Sequence, residues 1–162
     1  MRKLMLSIAM GVLAVGLVAV PIATAKKGPK PVAATVSVTP TPTTITSATP
    51  TVTVTGNVKA NSSCRKDRTV RFAYVNTVTG GVTPLAETAV TESNGDYTVI
   101  LPKPTDAGPA TVIVRATLDQ VTRKVGSKKK GKKDKKGRRF DCLTATADSA
   151  PLTVAEEPTT IR

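Results

Sequence analysis

From Thr51 onward the chain alternates between apolar and polar positions with a period of two. Val52, Val54 and Val58 take one side while Thr51, Thr53 and Thr55 take the other, and Gly56-Asn57 interrupts the run. Thr69 to Val75 repeats the pattern with Val70, Phe72 and Tyr74 on one face. Tyr97, Val99 and Leu101 form a third apolar face just after Asn94-Gly95, and Val112, Val114, Ala116 and Leu118 form a fourth. Val82 to Val90 is a weaker case of the same kind. Side chains at this period point to opposite faces of a strand, and the β-branched types that fill these runs suit a pleated, half-buried surface. Beyond the leader, no window carries the i, i+3, i+4, i+7 stripe of an amphipathic helix. The pattern predicts an all-β domain over 51–155 and a short tail at 156–162. Strands with one apolar face each need a second sheet to cover them, so the expected architecture is a single β-sandwich of about seven or eight antiparallel strands.

Two stretches ahead of Thr51 break the alternation. Met1, Arg2 and Lys3 make a positive start, Leu4 to Val20 run without a charge, Pro21 ends the run, and Ala23-Thr24-Ala25 follows. Small residues at Ala23 and Ala25 are what a signal peptidase reads, so 1–25 is predicted to be a helical secretory signal cleaved before Lys26. The competing reading is a retained anchor, but the apolar run falls short of the roughly 20 residues a comfortable span needs. No Cys lies near Ala25 to accept a lipid. Leu101-Pro102-Lys103-Pro104-Thr105 carries an extra proline and no following apolar tail, so it is not a sortase sorting signal. The mature protein is expected to be secreted or envelope-associated, with no transmembrane span. Residues 26–50 hold Lys26, Lys27, Lys30 and prolines at 29, 31, 40, 42 and 50 among threonines. Proline fixes φ and holds its predecessor extended, which predicts a semi-rigid linker contributing at most one edge strand. Its Thr39 to Thr51 part is either bare or an acceptor of O-linked sugars.

Composition narrows the chemistry. The chain has no His and no Trp, and four aromatic residues in all. Without His there is no Ser-His-Asp or Cys-His pair, and the commonest transition-metal ligand is missing. Carboxylates are scattered singly, so no acid pair for glycoside hydrolysis is visible. The chain is read as a non-enzyme with no cofactor and no metal. Its two cysteines, Cys64 and Cys142, sit after an early strand and in a late one, and two Cys in an exported protein most often pair. A metal pair or reactive thiol would lack any His or third Cys in support.

Gly56-Asn57-Val58-Lys59 through Cys64-Arg65-Lys66, then Val70-Arg71-Phe72, Thr91 to Tyr97 and finally Cys142 form a series. It resembles the pattern of small exported bacterial β-sandwich proteins related to immunoglobulin-like and carboxypeptidase-regulatory-like (transthyretin-like) modules. In that pattern a G-x-V strand, a Cys followed by basic residues, a hairpin of the form T-x-x-x-G-x-Y/W and a late Cys recur over one domain. The resemblance spans 51–155. It implies an immunoglobulin-like sandwich and a structural, adhesive or carbohydrate-binding role, and it lends no catalytic residue. The chain departs from the pattern through a long lysine insertion before Cys142.

That insertion, 123–139, holds eleven Lys or Arg against Asp134 alone, a net of +10. Cleavage of the leader would remove Arg2 and Lys3 and bring the formal +13 to +11, so nearly all the charge of the mature chain lies here. The segment is predicted to be a long loop between two strands, kept supple by Gly126, Gly131 and Gly137 and extended by self-repulsion. The expected anion-binding residues are Lys128, Lys129, Lys130, Lys132, Lys133, Lys135, Lys136, Arg138 and Arg139. Export contradicts a nuclear localisation signal. Nucleic acid would be held only nonspecifically, because Phe140 is the one aromatic close by. An anionic envelope polymer or lipid headgroup needs only charge density, and a solvated loop with no dedicated partner competes with it.

Three smaller motifs remain. Glu92, Asn94 and Asp96 alternate as oxygen ligands of Ca²⁺ might, yet six or more oxygens are required, so a plain hairpin is expected. Asn61-Ser62-Ser63 matches the N-glycosylation acceptor. Tyr74 and Tyr97 would stack on sugars if exposed, but their apolar alternation marks them as core.

Overall fold

The computed structural model describes residues 28–46, 48–104, 111–126 and 137–155. Four short strands come first: β1 (Lys30–Val32), β2 (Thr35–Val36), β3 (Thr39–Thr41) and β4 (Thr44–Ile45). The long β5 (Thr51–Lys59) leads to one helical turn, α1 (Ser62–Arg65), then to β6 (Thr69–Asn76), β7 (Val82–Val90), β8 (Asp96–Pro102) and β9 (Thr111–Leu118). The chain closes with β10 (Val121–Val125), β11 (Arg138–Cys142), β12 (Ala145–Asp148) and β13 (Leu152–Val154). Among the described residues these strands form three sheets. The largest runs β4-β13-β9-β6-β7 with β12 also on β9; the second runs β2-β5-β3 with β8 on the other side of β5; the third is β1-β11-β10.

The alternation places the core as expected. Val52, Val54 and Val58 of β5 and Tyr97 and Leu101 of β8 face Val70, Phe72 and Tyr74 of β6 and Val112, Val114, Ala116 and Leu118 of β9 in one buried cluster. Phe72 and Tyr97 meet across the sheets with ring centroids 5.9 Å apart. The hydroxyls of both tyrosines are anchored at the edge of that core: Tyr74 donates to the Pro102 carbonyl at 2.8 Å and Tyr97 to the Ser37 carbonyl at 2.5 Å. The opposite face of the second sheet is mostly threonine: Thr39 lies beside Thr55, which lies beside Thr98, and Thr41 lies beside Thr53, with the exposed Ile100 on the other side of Thr53. β7 shows why its pattern was weak. It is an edge strand carrying Pro84, its register slips between Arg71 and Ala73 of β6, and Val82 and Val90 stay exposed.

Two expectations need correction. The stretch read as a linker with at most one edge strand contributes four short strands, and it buries Pro40 and Ile45. Proline at a sheet edge forfeits no ladder bond, so Pro31 and Pro40 are compatible with pairing there, and the burial of a single residue per strand leaves little periodic signal. The same segment makes the sheets mixed rather than purely antiparallel, since β1 runs parallel to β11 and β4 parallel to β13. It also passes from the second sheet, where Ser37 N–H donates to the Asn57 carbonyl at 3.0 Å, to the first, where Ala155 N–H donates to the Ile45 carbonyl at 2.9 Å.

Two glycines are required by packing. A Cβ at Gly56 would lie 2.1 Å from the Ser37 carbonyl oxygen and 2.3 Å from the Tyr97 ring, which crosses the strand at that point. Gly95 turns the β7–β8 connection at φ +96, in a region that side chains disfavour, with the Val58 carbonyl oxygen 2.4 Å from where a Cβ would sit.

Candidate anion-binding hairpin

The basic strands are held to the body by a disulfide. Asn61 caps α1, its side-chain oxygen accepting from the Cys64 N–H at 3.0 Å, and this turn presents Cys64 inward. Cys64 is bonded to Cys142 of β11, with 5.4 Å between the Cα atoms, and both are fully buried. Such a bridge fits an oxidising compartment.

Beside the disulfide lies Arg68, only 1% exposed. Its Nη1 donates to the Cys64 carbonyl at 2.8 Å, and its Nη2 reaches the carbonyls of Leu143 at 3.1 Å, Cys142 at 3.4 Å and Asp119. The fork thus ties α1, the end of β9 and the end of β11 into one knot. Its own backbone is fixed by Thr91, whose hydroxyl accepts from the Arg68 N–H at 2.9 Å and donates to the Arg65 carbonyl at 2.6 Å. The Asp119 carboxylate is turned away to Arg71, 2.9 and 3.0 Å from its Nε. Burial, and then the neighbouring Arg123, pull the Arg68 guanidinium below its ordinary pKa, with Asp119 acting the other way. Arginine stays charged under such a pull, so carbonyl dipoles take the place of a counter-ion.

β10 and β11 rise from this base as an antiparallel pair. Val121 lies opposite Cys142, Thr122 opposite Asp141, Arg123 opposite Phe140, Lys124 opposite Arg139 and Val125 opposite Arg138. β1 flanks β11 and sets Lys30 beside Phe140. Paired residues share a face, so one face carries Lys30, Phe140, Arg123 and Arg138, and the other carries Lys124 and Arg139. Arg123 braces the pair to the body, donating to the Asp67 carbonyl at 2.7 Å with the Asp67 carboxylate at 3.8 Å. On the second face the Thr122 hydroxyl donates to the Asp141 carboxylate at 2.6 Å. Among the described residues, no carboxylate lies within 4.0 Å of the charged ends of Lys124, Arg138 or Arg139.

Of the residues singled out in the sequence, Cys64 and Cys142 are joined. Arg138 and Arg139 are exposed, and they stand in β11 rather than in the loop assigned to 123–139, as Arg123 and Lys124 stand in β10. Strand pairing extends into the charged segment because no cation on these exposed strands has to be fully buried. Lys128, Lys129, Lys130, Lys132, Lys133, Lys135 and Lys136, like Ala23, Ala25 and Lys26, lie outside the described residues. Lys30 and Arg68 had no sequence signal of belonging here. The Asn94 turn is a tight hairpin in which both Asp96 oxygens are taken, one by Asn57 Nδ2 and one by Asn94 Nδ2, each at 2.5 Å. No helix among the described residues is long and apolar enough to cross a membrane. Neither protein-family models nor curated proteins give a match to this chain.

Proposed function

We propose that this is an exported, non-enzymatic protein built on an immunoglobulin-like β-sandwich, and that it associates with anionic cell-envelope material through its basic hairpin. The observation that carries the reading is Lys124 set directly opposite Arg139. Like charges directly across a strand pair are destabilising, and here they sit at the root of a segment that bears a net +10 over 123–139. A polymer carrying repeated phosphates or carboxylates relieves that repulsion at both strands together. Two sheets sharing one core support the sandwich, and the disulfide supports the exported location, with the leader over 1–25 as the means of export. The non-enzymatic reading rests on the lack of His and of paired acids in the sequence.

Washed envelopes mixed with the purified protein test the proposal. Sedimentation with the envelopes at low salt and release at high salt is expected, because exposed charges are screened beyond about 8 Å at physiological ionic strength. Binding that persists unchanged at high salt would refute an electrostatic attachment and point to a neutral carbohydrate site on the sandwich.

A further inference from the structure

At the far end of the domain the two sheets part around a cavity of about 410 Å³. Tyr74, Leu85 and Val112 line it from the large sheet and Pro102 from the end of β8, with Asn76 and Lys103 at its polar side. The position is fixed from several directions. Tyr74 is held by its bond to the Pro102 carbonyl, and the Lys103 backbone N–H donates to the Pro50 carbonyl at 2.9 Å. Asn76 uses its side-chain oxygen to accept from the N–H groups of Val78 and Thr79 at 2.9 and 3.0 Å, which directs its amide nitrogen away from that turn. Among the described residues Lys103 is the one charged residue of the lining, and no carboxylate lies within 4.0 Å of its ammonium. β6 is eight residues long, roughly 25 Å at about 3.3 Å per residue, and runs from the Arg68 end to this one, so the cavity and the base of the basic hairpin lie at opposite ends of that strand.

We infer that this cavity binds a small free amphipathic acid, its apolar body against Tyr74, Leu85 and Val112 and its acidic group on Lys103 with Asn76 as a second donor. The volume falls within the roughly 300–1,000 Å³ of small-molecule sites, and an apolar lining with a few convergent polar groups is the chemistry such sites share. One cation at the edge of an apolar hollow favours a single acidic group over a polyanion, which separates this ligand from the polymer assigned to the hairpin. The inference does not rest on that assignment.

The test uses decanoate and its neutral counterpart decanol as probes, followed by amide chemical shifts of the disulfide-bonded protein. Decanoate is expected to shift the amides of Asn76, Leu85 and Lys103 while leaving those of β10 and β11 in place, and to bind about tenfold more tightly than decanol, the worth of one charge-assisted contact. Lys103→Gln should abolish that preference without altering decanol binding; Lys103 is half-buried and its side chain has no hydrogen-bond or ion-pair partner among the described residues, so the substitution breaks no contact of the fold. Leu85→Phe, which adds bulk inside the cavity, should weaken both probes. Equal affinity for the two probes, a preference that survives Lys103→Gln, or shifts confined to the basic hairpin would each overturn the assignment.

Discussion

Arg68 donates to the carbonyl oxygen of Cys64 at 2.8 Å from a position almost wholly removed from solvent, so a buried cation and a buried disulfide share one backbone. With the Cys142 and Leu143 carbonyls on its other nitrogen, the guanidinium closes the same loop that the sulfur atoms close. The two devices brace the basic hairpin together, one covalently and one by hydrogen bonds.

Replacement of Arg68 is expected to be costly. Buried ion pairs often tolerate apolar replacement because both charges leave together. Here the partners are carbonyls that remain in place, and Arg68→Met would strand them. Hydrogen bonds to charged groups contribute about 1.5–3 kcal/mol each, and because they act as a unit we expect a loss of about 3–4 kcal/mol in urea unfolding under oxidising conditions. Arg68→Lys should recover only part of it, since one ammonium cannot span carbonyls from three segments. A loss below about 1 kcal/mol would show that the carbonyls find water instead.

Reduction of the disulfide is the matching experiment. The bridge closes 78 residues, for which chain entropy assigns about 4–5 kcal/mol. The Cys64→Ala, Cys142→Ala double variant should unfold at correspondingly lower urea with its β signature intact at low denaturant, because the valine core does not depend on sulfur. Combined with Arg68→Met, the losses should fall short of additive, since each change loosens the same knot.

How much of this was legible in the sequence follows from how local each signal is. Val52, Val54 and Val58 announce a strand by themselves, because burial of one face repeats every second residue within nine positions. Pro40 and Ile45 do not, since each is a lone buried residue among threonines, and Ile45 moreover pairs with Val154 near the other end of the fold. Arg68 reads as an ordinary charged residue between two strands. Its burial depends on carbonyls at 119, 142 and 143 that only the tertiary fold brings together. The basic run is plain as composition, yet the opposition of Lys124 to Arg139 needs the register of β10 on β11, which the Cys142 anchor sets.

Alkaline titration reads the core directly, because the chain has two tyrosines and both are buried. Burial pushes each phenol from 10.0 up to about 12, with Glu87 adding to the rise at Tyr74. A group whose folded pKa is raised holds its proton more tightly in the native state. Its contribution is therefore complete below about pH 10 and is lost as pH climbs through about 12. We expect phenolate absorbance to stay flat past the point where denatured protein has titrated, and urea stability to fall over the same interval. Native phenols that ionise together with the denatured ones would contradict the buried placement of Tyr74 and Tyr97.

The basic segment separates charge from architecture. Deleting Lys128 to Lys136 should leave thermal stability nearly unchanged, since shortening a connection between paired strands alters closure entropy only slowly. Retention on washed envelopes should nevertheless drop sharply and lose most of its salt dependence. Substituting Lys124, Arg138 and Arg139 with Gln tests the root of the hairpin separately. Removal of a like-charge pair from β10 and β11 relieves repulsion, so this variant should be as stable as the parent or slightly more so, while binding more weakly at low salt. If the deletion abolishes binding and the triple substitution does not, the strands only carry the lysines and the anion contacts lie wholly beyond them. If the triple substitution alone lowers binding, the paired cations at the root are themselves part of the site, and the cost of setting Lys124 against Arg139 is explained by the ligand that offsets it.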